Sequence, residues 1–234
     1  ACAMLMKRTT RADSAIGLSS PEIVSLDKIA RRTHTVAPDS IEIAPMPAPD
    51  ALPATAALLI IDLQKAIDAP YWGPRNNPDC ERKVAALLER WRATRRPIYH
   101  IKHDSTEPQS AYRPGQPGND FKDEVMPRAG EPVIAKRVHS AFIGTGLGAL
   151  FENAGHSPLI VTGVLTHNSV EATVRMGGNL GFEIYVVSDG CFAVDKPTLD
   201  GRVFPAEDVH ALSLANMSGE YATIVDTAWI LDRT

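Results

Sequence analysis

Three side chains able to do hydrolytic chemistry stand where apolar runs end: Asp62, Lys136 and Ser169. Asp62 closes the run AALLIID, Lys136 closes a short run that begins at Pro132, and Ser169 follows LIVTGV after Leu165, Thr166, His167 and Asn168. A carboxylate, an amine and a hydroxyl brought to one point can move a proton and attack a carbonyl carbon. Singly, each has an ordinary explanation. An Asp ending a strand is a turn residue, a Lys there is a solvated charge, and a Ser ahead of a helix is an N-cap. Their joint placement at run ends is what points to chemistry.

A sheet must position them. Residues 56–62 form a continuous apolar run, as expected of a strand buried on both faces. Asn77 and Pro78 read as an N-cap followed by Pro at the first helical position, and Val84, Leu87, Leu88 and Trp91 follow at helical spacing. The pattern then predicts strands over 97–102, 132–135, 159–164, 182–187 and 221–225. It predicts helices around Leu147–Ala154, stopped by Gly155, over 168–180 and over 209–217, and a Pro- and Gly-rich loop over 106–118. Such alternation calls for a mostly parallel sheet covered by helices on both faces, which binds ligands at the carboxyl ends of its strands.

The chain has 234 residues, enough for one core with an appended segment. Residues 1–54, rich in Thr, Ser, Ala and Pro, read as an N-terminal arm, and 55–234 as the domain. The apolar positions Ile23, Val24, Leu26 and Ile29 are too few for a core of their own, so the arm is expected to pack on a second copy in a homo-oligomer. A net charge of -4 with scattered Lys and Arg offers nothing to phosphates, which argues against nucleic acid. No apolar run approaches the roughly 18 residues that cross a bilayer. Cys2, Cys80 and Cys191 are odd in number and lack CxxC spacing, which fits a reducing, cytoplasmic location better than a disulfide framework.

Three segments carry a family resemblance: IIDLQ around Asp62, AKRVHSAF from Ala135, and VTGVLTHNSVEATVR from Val161 to Arg175. In order and spacing they resemble the signatures of the isochorismatase-like, or cysteine hydrolase, family over about residues 56–228. The resemblance implies an α/β, three-layer, Rossmann-like fold and a hydrolase of small molecules. It implies Asp62 as general base, Lys136 as the balancing charge and Ser169 at the nucleophile position. It also implies a cis peptide at Val164-Leu165, with the N–H groups of Leu165 and Ser169 forming an oxyanion hole.

Amidase relatives carry Cys at the position of Ser169, and a hydroxyl is far harder to ionise than a thiol. Three readings of Ser169 follow: a replacement for Cys, a native nucleophile served by a Ser-Lys pairing with Lys136, or a site without covalent catalysis. The leading expectation is attack on the C–N bond of a small amide or carbamoyl compound. The alternatives are a vinyl-ether hydrolase using Asp62 as acid, and a silent binding protein. Gln64, Tyr71, Trp72, Asn76, His139 and Phe142 are expected around the substrate, Gln64 to orient the base. His100 and His103 fall on opposite faces of a strand, so no metal is expected, and no cofactor.

Overall fold

The computed structural model describes residues 49–234, so the arm's apolar positions Ile23, Val24, Leu26 and Ile29 lie outside the described residues. The strands are β1 (Ala57–Ile61), β2 (Ile98–His103), β3 (Val133–Lys136), β4 (Leu159–Val164), β5 (Ile184–Phe192), β6 (Lys196–Pro197), β7 (Val203–Phe204) and β8 (Thr223–Val225). The helices are α1 (Cys80–Thr94), α2 (Leu147–Ala154), α3 (Glu171–Asn179), α4 (Ala206–Met217) and α5 (Thr227–Leu231). Six strands make one sheet in the order β3-β2-β1-β4-β5-β8, every pair parallel.

Alternate residues of each strand serve opposite layers. Leu58 and Ile60 of β1 pack with Val84, Leu87, Leu88 and Trp91 of α1 and Ile230 of α5. Ala57, Leu59 and Ile61 pack with Leu147 and Phe151 of α2, Val174 of α3 and Met217 of α4. The indole N–H of Trp91 donates to Ala56 O at 2.9 Å, so the largest α1 side chain is buried with its polar atom satisfied.

The strand order reverses beside β1. The chain steps outward through β2 and β3, then returns to β4 on the other side, which opens a crevice at the carboxyl ends of β1 and β4. Just below that crevice the two strands touch: Ile61 is the register partner of Gly163. Gly163 has φ 115°, and a Cβ there would lie 2.1 Å from Ile61 O. Only glycine fits.

Several boundaries differ from the sequence pattern. Helix α1 starts at Cys80 behind Asp79, not at Pro78. Asn77 is drawn away by tertiary bonds, its amide donating to Ser188 O at 3.0 Å and Cys191 O at 2.7 Å. Strand β5 runs on to Phe192 through a register shift against β4, because Ser188, Asp189 and Gly190 interrupt the apolar period without ending the pairing. The β6–β7 hairpin and α5 were too short to announce themselves by periodicity.

Glu81, on the first turn of α1, joins this helix to two loops. Arg75 donates to both its oxygens, at 2.7 and 2.9 Å, and Lys122 donates at 2.8 Å. Burial pushes the carboxyl up, but Arg75 and Lys122 outweigh it and hold the group at about 2, against an ordinary 4.5. A depressed carboxyl contributes stability that is complete above its unfolded value and lost as pH falls through the folded one.

Two outcomes are expected. Gly163→Ala should destabilise by roughly 3 kcal/mol or more in urea melts, because clash and a left-handed backbone combine. Glu81→Gln should melt below the parent protein at pH 7, with the gap shrinking between about pH 4.5 and about 2 in thermal scans.

Candidate active site

Asp62 follows β1 with φ 53°, a left-handed conformation that few side chains other than Asn or Asp adopt. Lys136 ends β3, two strands away, about 10 Å at the usual strand spacing. Its long side chain crosses above β2, and Nζ lies 2.6 Å from Asp62 Oδ2 and 3.3 Å from Ser169 Oγ. All three residues are buried, Lys136 to 1% exposure. The structure thus brings the three run-end groups together.

Ser169 sits in a single π-helical turn, Thr166–Val170, between β4 and α3. The peptide Val164-Leu165 is cis. Both Asn168 N and Val170 N donate to Leu165 O, while the Leu165 N–H reaches no main-chain carbonyl among the described residues. Helix α4 braces the turn from behind. Thr166 Oγ1 lies 2.8 Å from His210 Nδ1, and Ser213 Oγ donates to Thr166 O at 3.2 Å and Glu171 Oε2 at 2.6 Å.

A cavity of about 130 Å³ opens beside Asp62 and Ser169. Ile67, Trp72, Val164 and Leu165 give it an apolar side. His103, Ser110, Tyr112, His139 and Asn168 give it a polar one. Asp62 Oδ1 and His103 Nδ1 are buried without a hydrogen-bond partner among the described residues. Burial lowers the His103 imidazole below its ordinary value. Burial also drives the Tyr112 phenol well above its own, and its OH donates to Asp62 O at 3.4 Å.

Of the residues expected to meet substrate, Trp72 and His139 line the cavity. Four do not. Tyr71 is 63% exposed. Asn76 is buried and accepts from Ala193 N. Phe142 packs against Phe151 and Phe182 on the opposite layer. Gln64 is fully buried, where its amide oxygen accepts from His103 N at 2.7 Å and its nitrogen donates to His103 O and Asn119 O at 3.1 and 2.9 Å. It clamps the end of β2 to the following loop and leaves the Asp62 carboxylate untouched.

Ser110 and Tyr112 come from the Pro- and Gly-rich loop. Its length without regular structure was the available signal, since such loops in compact domains are commonly functional. His103 was readable only as the end of β2. His100 turns away from it to Glu131 Oε2, 2.9 Å distant. His167, the imidazole nearest Ser169 in sequence, lines a separate cavity with Glu171, Lys196 and Ser213. Burial, then Lys196, lowers it to about 4. Cys191 is wholly buried, and burial pushes its thiol up to about 12, so it offers no substitute nucleophile.

Residues 56–228 match the Isochorismatase domain model. The chain belongs to the isochorismatase family. As a member, it is 36% identical to the uncharacterized isochorismatase family protein YrdC of Bacillus subtilis (strain 168), over 75% of this chain and 94% of that one. It resembles a solved isochorismatase-family structure from Chromobacterium violaceum ATCC 12472 at 56% identity and TM-score 0.77, covering 80% of this chain and 97% of that one. Over 70 residues it is 37% identical to the ureidoacrylate amidohydrolase RutB of Serratia proteamaculans (strain 568), 30% of this chain and 28% of that protein. The parallel sheet and its helices are thus those of a hydrolase-type family. No helix of the described residues is long and apolar enough to cross a membrane.

Gln64 satisfies three main-chain groups at the floor of this site, so Gln64→Leu should cost about 3 kcal/mol by chemical denaturation. Gln64→Glu, which sets a buried carboxylate against the carbonyl oxygens of His103 and Asn119, should cost at least as much.

Proposed function

We propose that this isochorismatase-family protein hydrolyses the C–N bond of a small amide or carbamoyl compound, with Ser169 as nucleophile. One observation carries the reading: Lys136 Nζ contacts both Asp62 Oδ2, at 2.6 Å, and Ser169 Oγ, at 3.3 Å, beside a cavity lined by Asp62 and Ser169. The RutB relative, an amidohydrolase by name, supports the same bond type.

In the proposed cycle Ser169 Oγ attacks the amide carbon. Its proton passes to Lys136 Nζ as Nζ yields one to Asp62, so the ammonium is restored while the carboxylate takes up the proton. The substrate oxygen, now negative, is met by the N–H groups of Leu165 and Ser169. Asp62 then protonates the leaving nitrogen as the C–N bond breaks. Water repeats the sequence on the acyl ester, releasing the acid and Ser169. The chemistry calls on no cofactor. Cytoplasmic location and association with a second copy through the N-terminal arm complete the proposal.

The test is ammonia release from a panel of small amides and carbamates, with intact mass to trap an acyl adduct. Ser169→Ala should abolish both signals. Ser169→Cys should raise turnover about 100-fold or more, because a thiol starts several pKa units closer to neutrality. In that background Asp62→Asn should remove the gain, a loss on the order of 10²–10⁴, and Lys136→Ala should weaken it, with circular dichroism checking that each variant folds. A Ser form faster than the Cys form would make Lys136 the base. Full activity in Ser169→Ala would overturn nucleophilic attack and leave a reaction run by Asp62 as acid.

A further inference from the structure

The cavity beside Ser169 presents an unusual balance of charge for a site that must orient a small polar molecule. Asp62 is the carboxylate on its wall, and the ammonium that faces it, Lys136, is already closed by that carboxylate at 2.6 Å and by Ser169 Oγ at 3.3 Å. Among the described residues no arginine and no lysine lines the space. We infer that the site selects a small uncharged amide, its apolar body against Ile67, Trp72, Val164 and Leu165 and a polar end at His103, and rejects amides that carry a carboxylate.

This rests on the reading of Ser169 as a nucleophile at an amide carbonyl, and adds which amides reach it. A substrate carboxylate placed here would leave water for a partly apolar pocket, meet the carboxylate of Asp62, and find no free cation to pair with. A protonated amine would lose its water for a partly apolar pocket and meet only Asp62 Oδ1, on a carboxylate whose charge Lys136 already offsets at 2.6 Å. An uncharged molecule leaves the Asp62–Lys136 pair intact.

His103 fits this choice. Its main chain is held on both sides by Gln64, which fixes where the ring stands, and Nδ1 is buried without a partner among the described residues. Burial keeps the imidazole below its ordinary value; Asp62 and Asp104 push it up, while Lys136 and His139 push it down. At neutral pH the ring therefore offers a hydrogen bond and no charge. Tyr112, edge-on to His103 at 5.7 Å between centroids, closes the space beyond it.

Three probes of nearly equal size separate the cases: butyramide, succinamate and 3-aminopropanamide. Calorimetry at pH 8 on Ser169→Ala measures binding without turnover, and Ser169→Cys measures kcat/KM for the same three. Butyramide should bind at least roughly 10-fold tighter than either charged probe, and its kcat/KM should exceed that of succinamate by roughly 100-fold. His103→Phe should raise KM for butyramide in the Ser169→Cys background and leave kcat within about threefold, as expected of a group that binds rather than reacts. Succinamate binding as tightly as butyramide, or no neutral amide binding at its solubility limit, would overturn the inference. Should Ser169→Cys turn over none of the probes while butyramide still binds preferentially, the hydrolytic reading fails and the selection for uncharged ligands stands.

Discussion

The buried pair between Lys136 and Asp62 is the contact on which the rest of the site depends. An ammonium at 1% exposure is expensive to take out of water and is tolerable only beside an opposite charge. The carboxylate at 2.6 Å supplies that charge from a strand two places away in the sheet, so the pair locks the outer edge strand β3 to the central strand β1. Buried ion pairs are poor sources of net stability, since apolar residues of similar volume often do better. What this one provides is position. It sets an amine within reach of Ser169 Oγ and leaves Asp62 Oδ1 buried at the wall of a cavity, without a partner among the described residues.

The polypeptide around the pair is arranged to hold it still. Gly163 lets β4 pass so close to β1 that no Cβ would fit, and the turn bearing Ser169 leaves β4 immediately afterwards. Gln64 and Asn119 gather the carbonyl of His103 into one set of hydrogen bonds, at 3.1 and 3.2 Å, which ties the β1 and β2 ends to the long loop. Thr166, His210, Ser213 and Glu171 do the same behind the turn that bears Ser169. Each network is built from neutral or locally paired groups, so among the described residues the carboxylate on the cavity wall is that of Asp62, paired with Lys136 behind it.

A serine in this setting poses a chemical problem that a cysteine does not. As the proposed nucleophile, the hydroxyl must lose its proton to a neighbour that is itself part of an ion pair, and the nearest imidazole in sequence, His167, faces another cavity. The geometry offers a relay in which Lys136 gives one proton and takes another without changing its charge. That mechanism needs a water-poor pocket and a substrate that brings no competing charge, which links the chemistry to the selection inferred for the cavity.

Much of this was written in the sequence, for a physical reason. A strand buried on both faces must be a continuous apolar run, so β1 and β4 were legible, and with them the run-end groups Asp62 and Ser169. Alternation of strand and helix gave the parallel three-layer order and the edge where ligands bind. The helix stop at Gly155 was legible because a left-handed cap, φ 64° here, favours glycine. The pocket wall was not legible, because side-chain direction in loops depends on contacts between segments far apart in the chain. Gln64 looked like a partner for Asp62 by adjacency, yet its amide spans to His103 and Asn119, which lie 39 and 55 residues on. Phe142 looked like a pocket residue by its nearness to Lys136, yet it turns into the opposite layer, while Tyr112 arrives from a loop with no period to read. Local pattern determines which segments are strands and where they end. Only tertiary packing decides which loop atoms meet above those ends, because that depends on hydrogen bonds and burial among residues no window of sequence contains.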